Sequence, residues 1–142
     1  MDWNSQSIIN YTIAFSIVTF LGVYMVRLPH IISDQPELVA DYYKKNWKWN
    51  IPLDYFLVLA YFALASYIWN RFNIQKISGR LLVLVAITTL VSGSFYLWFS
   101  SRPETASFFS QWFHRAGLSA VLYDIILLSA IYIIYVSLQT KE

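Results

Sequence analysis

The stretch LLVLVAITTLVSGSFYLWF, residues 81–99, contains no charged side chain. An α-helix rises 1.5 Å per residue, so about 20 residues cross the roughly 30 Å hydrocarbon layer of a bilayer. A stretch of this length and composition predicts a membrane-spanning helix rather than a buried helix of a soluble protein.

Three further stretches have the same character. Residues 8–26 carry no charge, residues 51–69 carry only Asp54, and residues 116–138 carry only Asp124. Four such segments joined by polar links predict an all-α, multi-pass integral membrane protein, an antiparallel bundle of four transmembrane helices. Residues 1–142 then form a single transmembrane domain.

The overall composition agrees with a membrane protein and excludes several other classes. Charged residues make up 13% of the chain and hydrophobic residues 58%, whereas soluble domains carry about 25% charged residues. The net charge of +2 without a basic run argues against nucleic-acid binding. The absence of cysteine excludes thiolate catalysis, iron–sulfur clusters and cysteine-bound zinc. We expect no metal and no cofactor, because the two histidines do not show a metal-binding spacing.

The two longer links, residues 27–50 and 100–115, each contain a Pro-Glu pair followed by aromatic residues. We therefore expect one interfacial helical segment in each link. Pro36 and Pro103 suit the first helical position, where the missing N–H is no loss, and Ser33 and Ser100 are candidate caps.

Tryptophan is concentrated near the ends of the apolar segments, where the headgroup region of a bilayer would lie. Indole rings favour this region because one edge is apolar and the other donates a hydrogen bond. We therefore expect interfacial anchoring from this group: Trp3, Trp47, Trp49, Trp69, Trp98 and Trp112.

The two halves of the chain resemble each other in order. Ser33-x-x-Pro36-Glu37 precedes two tyrosines and a tryptophan, while Ser100-x-x-Pro103-Glu104 precedes two phenylalanines and a tryptophan. One interpretation is an internal duplication with repeats 8–70 and 81–138, of the parallel kind found in some transporters. The other is coincidence, since apolar helices share composition and align easily.

Asp54 and Asp124 are the candidate functional residues, because they are the two ionisable groups inside the apolar segments. A charged carboxylate near the centre of a bilayer costs about 2.5–3.5 kcal/mol on insertion scales, so such residues usually face a cavity or a partner. With its helix starting at residue 51, Asp54 lies in the first turn, where the helix dipole alone could accommodate it. If the two carboxylates share a site, they suit proton coupling, cation binding or acid catalysis.

Basic residues in the two long links are candidate partners for these carboxylates. They lie on the side of the membrane from which both aspartates enter: Arg27, His30, Arg102, His114 and Arg115. Each histidine alone is equally well explained as an interfacial polar residue.

Small and hydroxyl side chains form a second polar feature of the apolar segments. Thr12, Ser16 and Thr19 recur at helical spacing, and Thr88 and Ser92 mark a similar patch. Such residues let membrane helices approach closely and hydrogen-bond to one another. We expect packing, with a hydrated path or a ligand pocket as the alternative.

Three functions fit this sequence. The first is a non-enzymatic membrane component that acts in assembly or binds a lipid or apolar ligand, and whose partners include the bilayer, further copies of the chain or other membrane proteins. The second is a small proton- or cation-coupled transporter or channel that uses Asp54 and Asp124. The third is a membrane enzyme acting on a sterol, isoprenoid or acyl substrate, with Asp124 as acid or base, helped by His30 or His114 on an interfacial lid.

Overall fold

The computed structural model describes residues 3–139, and the regular structure in that range is entirely helical. Two π-helical segments, Thr19–Met25 and Asp41–Lys45, directly follow α-helices that end at Val18 and Ala40. The α-helices are α1 (Ser5–Val18), α2 (Leu28–Ser33), α3 (Pro36–Ala40), α4 (Trp47–Arg71), α5 (Ile77–Ser100), α6 (Phe108–Arg115) and α7 (Leu118–Gln139).

Four of these helical stretches are long and apolar enough to cross a membrane: Ser5–Met25, Trp47–Arg71, Ile77–Ser100 and Leu118–Gln139. The prediction of an all-helical chain with four membrane-spanning candidates is therefore confirmed in these terms. Many large apolar side chains point away from the protein, and Leu82 and Leu90 are 70% and 71% exposed. Hydrocarbon around the helices would solvate such faces without penalty, whereas water would not.

The α4 helix begins at Trp47, one turn before the predicted start at residue 51. Hydropathy locates only the apolar part of a helix, and the backbone hydrogen bonds continue through the polar residues before it. Asp54 therefore lies about two turns into α4. The helix dipole acts mainly within the first turn, so the dipole explanation for Asp54 was wrong.

The two long links differ in structure. Helix α3 begins at Pro36 as predicted, but α6 begins at Phe108, with Ser107 rather than Ser100 as its cap. The Ser107 hydroxyl accepts a hydrogen bond from the Ser110 N–H at 3.3 Å. The predicted start at Pro103 was wrong. A cap directly precedes the first helical residue, and Ser107 holds that position before Phe108.

Ser33 and Ser100 do not cap the helices that follow them. Ser33 is the last residue of α2, and Ser100 is the last residue of α5, where its hydroxyl donates to the Leu97 carbonyl. The capping prediction was wrong for both serines, since each lies too far before the next helix.

The tryptophans divide into exposed and buried groups. Trp3, Trp47, Trp49 and Trp98 are exposed, Trp49 by 82%, which agrees with interfacial anchoring. Trp69 and Trp112 are only 1% and 6% exposed, so for them that prediction was wrong. The Trp69 N–H donates to the Arg80 carbonyl at 3.0 Å, because the short connection between α4 and α5 folds that carbonyl onto the indole.

The core lies where the long helices meet. Helix α7 contacts α1 and α5, and α4 contacts α5. Phe62 and Trp69 of α4 pack on Tyr132 of α7, with ring centroids 6.2 and 5.3 Å apart. These contacts leave a gap at the end of the core nearest α6.

The hydroxyl residues expected to pack do so unevenly. Thr19, Thr88 and Ser92 are buried, whereas Thr12 and Ser16 are exposed. Thr12 and Ser16 donate to carbonyls of their own helix, and the Thr12 hydroxyl also accepts a hydrogen bond from the Tyr55 hydroxyl of α4 at 2.8 Å.

Candidate functional site

The gap near α6 is a cavity of about 170 Å³, here called the acidic cavity. Asp54, Asp124 and three tyrosines line it together with phenylalanine, tryptophan, leucine and valine side chains of α4, α5, α6 and α7. The tyrosines are Tyr43, Tyr61 and Tyr123. The cavity is thus a largely apolar space that contains two carboxylates.

Helix geometry brings the two aspartates to the same level. Asp54 follows the start of α4 at Trp47 by two turns, and Asp124 follows the start of α7 at Leu118 by nearly the same distance. Both side chains are half-buried. The structure thus places on one cavity two residues that lie 70 positions apart in the chain.

Asp124 is held by a chain of hydroxyl groups from two other helices. The Ser92 hydroxyl of α5 donates to Asp124 Oδ2 at 2.6 Å, and the Tyr61 hydroxyl of α4 lies 3.0 Å from Ser92 Oγ. Because a serine has one proton to donate and here gives it to the carboxylate, Tyr61 is the donor to Ser92. This chain joins α4, α5 and α7 through one buried serine.

Asp54 is held by a tyrosine that precedes its own helix. Tyr42 lies in the π-helical segment Asp41–Lys45 and donates its hydroxyl hydrogen bond to Asp54 Oδ1. Burial, followed by the nearby Asp54 carboxylate, raises the pKa of Tyr42, so its hydroxyl keeps its proton and acts as a donor.

The neighbouring Tyr43 extends the hydroxyl network to α7. Its hydroxyl lies 2.8 Å from that of Tyr123, the residue before Asp124, and its carbonyl accepts from the Tyr24 hydroxyl at 2.6 Å. Burial, followed by the Asp54 carboxylate, raises the pKa of Tyr43 as well. Irregular π-helical turns are common at functional sites, and this one turns two consecutive tyrosines inward.

Helix α6 covers one end of the acidic cavity with aromatic rings. Phe113 of α6 stacks on Phe99 of α5 with 5.7 Å between ring centroids and 3° between ring planes. Trp112 packs edge-on against Tyr123 at 6.0 Å. Gly117, at φ +60, makes the sharp turn from α6 into α7 and so lets α6 fold over the cavity.

None of the five basic residues considered as partners lines the acidic cavity. Arg27 and His30 line a different pocket together with Lys44. Arg102 is exposed and lies over the Trp98 ring at 3.4 Å from the centroid.

Arg115 and His114, the remaining two basic candidates, do not contact the aspartates either. Arg115 pairs with Glu104 at 3.0 Å. His114 is half-buried with no hydrogen-bond partner for its Nε2 atom. The two carboxylates are therefore hydrogen-bonded by hydroxyl groups. The described residues that line the cavity include no cation.

Sequence reasoning did not assign the tyrosines to the site. A helical signal exists for Tyr61. One helix face with the i, i+3, i+4, i+7 pattern holds Asp54, Leu57, Val58 and Tyr61, and all four line the cavity. Projecting this face from Asp54 would have identified Tyr61. Tyr42 and Tyr43 carry no such signal, because a π-helical turn positions them.

The acidic cavity does not resemble a metal centre. In residues 3–139, no group of three histidine, aspartate or glutamate side chains is arranged to hold a metal ion. What the cavity offers is hydrogen-bond acceptors at two carboxylates, donors at several hydroxyls, and apolar walls.

No protein family model, curated protein or solved structure matches this chain.

Proposed function

We propose that the protein is a multi-pass integral membrane protein whose four long helices form an antiparallel bundle. Trp69 of α4 contacts Arg80 of α5, while Tyr61 contacts Ser92, so positions rise along one helix as they fall along the other. The exposed apolar faces of the same helices support lipid as their surroundings.

The internal duplication is part of this proposal. Asp54 and Asp124 lie at matching depths, and Tyr42 of the first half packs on Phe108 of the second, with centroids 4.3 Å apart. Repeats 8–70 and 81–138 would thus each contribute one carboxylate and one aromatic pair. Pro103 departs from the pattern, since it does not begin a helix as Pro36 does.

Within this bundle, the acidic cavity is proposed to bind an apolar ligand that carries an ammonium or hydroxyl group. The observation that carries the proposal is the pair of half-buried carboxylates on one aromatic cavity, where no described residue adds a basic side chain to the lining. Intramembrane carboxylates are often paired with an opposite charge; here hydroxyl groups supply hydrogen bonds, and a ligand would supply the positive charge. Binding sites of this kind combine apolar walls with a few polar groups that fix orientation.

The aromatic lining favours an ammonium group in particular. Cations bind to the faces of tyrosine and tryptophan rings, more strongly when water is excluded. The cavity of about 170 Å³ is close in size to engineered cavities of about 150 Å³ that bind benzene. It therefore suits a small molecule or the head of a longer one.

Three probes that differ only in their polar end test this proposal: octylamine, octanol and octanoate. Titration calorimetry on protein in nanodiscs, with empty nanodiscs subtracted, should give affinities in that order. Asp124→Asn and Asp54→Asn should weaken octylamine binding by about tenfold or more, equal to about 1.4 kcal/mol. Asp41→Asn is the matched control, because Asp41 is exposed and pairs with Lys45.

Leu127→Trp provides a second variant that does not change charge. Leu127 lines the cavity and is buried, so a larger side chain should block the ligand. Octanoate binding as tightly as octylamine, or octylamine binding unchanged in all three cavity variants, would refute the proposal.

A small proton- or cation-coupled transporter or channel is the second candidate. The observation that favours it is the hydroxyl chain from Tyr61 through Ser92 to Asp124, which would pass protons between two groups on the cavity wall. Liposomes containing the protein and a pH-sensitive dye would then show proton or cation flux that Asp124→Asn abolishes and Asp41→Asn leaves intact.

The enzymatic alternative has less support from the geometry. An acid–base partner must lie within about 2.6–3.2 Å of the group it serves, or one water away. Neither His30 nor His114 lines the cavity that contains Asp124.

A further inference from the structure

We propose a second and separate binding site, for an anionic phospholipid, on the side of α4 that faces the first membrane span. The lipid phosphate would lie in a pocket lined by Arg27, His30 and Lys44, here called the basic pocket, and an acyl chain would lie in the groove beside it.

The basic pocket has a volume of about 40 Å³ and collects three basic side chains. Among residues 3–139, no acidic side chain lines it. In the part of the chain that the structure describes, the ion pairs are Lys45–Asp41 and Arg115–Glu104. These pairs use neither Arg27 nor Lys44, so a bound anion would meet two cations that no carboxylate already neutralises.

His30 provides an independent indication of a missing partner. Its Nδ1 atom is buried and has no hydrogen-bond partner in the part of the chain that the structure describes. Burial, and then the charges of Lys44 and Arg27, lower the pKa of His30. A phosphate oxygen in the pocket would accept a hydrogen bond from this ring and offset the repulsion between the three groups.

The backbone is strained at the residue that shapes the pocket. Arg27 has φ 59 and ψ 44, a left-handed conformation that non-glycine residues rarely adopt. It joins the π-helical segment Thr19–Met25 to α2 and so turns the chain at the level of Lys44. Strain of this kind is concentrated at ligand-binding sites and switch regions.

An apolar groove of about 650 Å³ adjoins the basic pocket. Tyr24, Tyr43 and Lys44 line both spaces, so the pocket and the groove lie side by side. The rest of the groove is formed by one face of the first span and the start of α4, with Phe15, Ser16, Thr19, Phe20, Trp47 and Ile51.

A charged pocket beside an apolar groove matches a phospholipid, which has a charged headgroup attached to apolar acyl chains. Trp47, exposed at the start of α4, marks the headgroup level at which the basic pocket would lie. Basic pockets at the ends of membrane helices bind anionic lipid headgroups. A free phosphate would use only the pocket and leave the groove without a role.

This site is independent of the acidic cavity. Tyr43 lines both, but Asp54 and Asp124 are absent from the lining of the pocket and of the groove. The ligands have opposite charge, so a failure of one proposal leaves the other untouched.

Native mass spectrometry of the detergent-solubilised protein tests the proposal with phosphatidic acid, phosphatidylcholine of the same chain length, and inorganic phosphate. We expect phosphatidic acid to bind most tightly. Neutralising two charges in Arg27→Gln plus Lys44→Gln should weaken it about thirtyfold. Lys45→Gln is the matched control, since Lys45 is the next residue but is exposed and paired with Asp41.

The groove is tested separately with Ser16→Trp, a change at an exposed position that fills the groove and leaves the charges intact. It should weaken phosphatidic acid binding. Equal binding of phosphatidylcholine, or equal losses in Lys45→Gln and in the double variant, would overturn the lipid site. So would inorganic phosphate binding as tightly as phosphatidic acid with no effect of Ser16→Trp.

Discussion

Replacing Ser92 by alanine removes the central member of the hydroxyl chain that joins three helices. Ser92 is fully buried, donates to Asp124 of α7 at 2.6 Å and accepts from Tyr61 of α4 across 3.0 Å. The change deletes one oxygen atom and leaves the fit of the helix backbones unaltered. Any loss of stability therefore measures the polar contacts.

The size of the effect follows from the number of bonds. Interhelical hydrogen bonds in membranes are worth about 0.6 kcal/mol on average and about 1.7 kcal/mol at most. Two such bonds predict that Ser92→Ala lowers the free energy of unfolding by about 1.2 kcal/mol, with an upper limit of about 3.4 kcal/mol.

Ser94→Ala is the matched control on the same helix. Ser94 is exposed and donates only to the Leu90 carbonyl of its own helix, at 2.6 Å. Such a bond adds little or slightly destabilises a helix, so we expect a change within about 0.5 kcal/mol, as at ordinary surface sites.

Unfolding in bicelles, followed by steric trapping or by circular dichroism in increasing dodecyl sulfate, measures both variants. A Ser92→Ala variant as stable as Ser94→Ala would refute the hydroxyl chain as a link between helices. Asp124→Ala combined with Ser92→Ala should cost less than the sum of the single changes, because both remove the same bond.

Two further predictions concern the link regions. Burial, followed by the charges of Lys44 and Arg27, lowers the pKa of His30 below its ordinary 6.5. As pH falls, the unfolded chain therefore takes up a proton first, so the contribution of His30 to stability is complete above about pH 6.5 and is lost below it. His30→Gln should flatten this pH dependence of stability in unfolding titrations without anionic lipid, and an unchanged slope would contradict the assignment. Gly117→Ala should destabilise the protein by about 1 kcal/mol, because the φ of +60 at this residue disfavours any Cβ. Gly93→Ala should stabilise it by about 0.5–1 kcal/mol, because Gly93 lies in a helix and nothing is within 4 Å of the new Cβ. Thermal unfolding of both variants in one detergent checks these opposite signs.

Particular residues mark how far sequence reasoning reached into the site. Asp54 and Asp124 stood out because an ionisable group inside an apolar segment is costly wherever the helix lies. Arg27 and His30 also stood out, but the structure separates them from the aspartates. Tyr42 was not identified as the partner of Asp54, because no helical spacing relates a π-helical turn to the helix after it.

The amino-acid sequence alone determined that this chain has four long apolar helices and that two carboxylates lie within them. Those properties depend on local composition, since a helix satisfies its own backbone hydrogen bonds and its apolar side chains select the surrounding solvent. The tertiary structure alone decided that Asp54 and Asp124 line one cavity, that hydroxyl groups hold them, and that Arg27, His30 and Lys44 gather in another. These groupings depend on how helices distant in sequence rotate and pack against each other, and no local pattern contains that information.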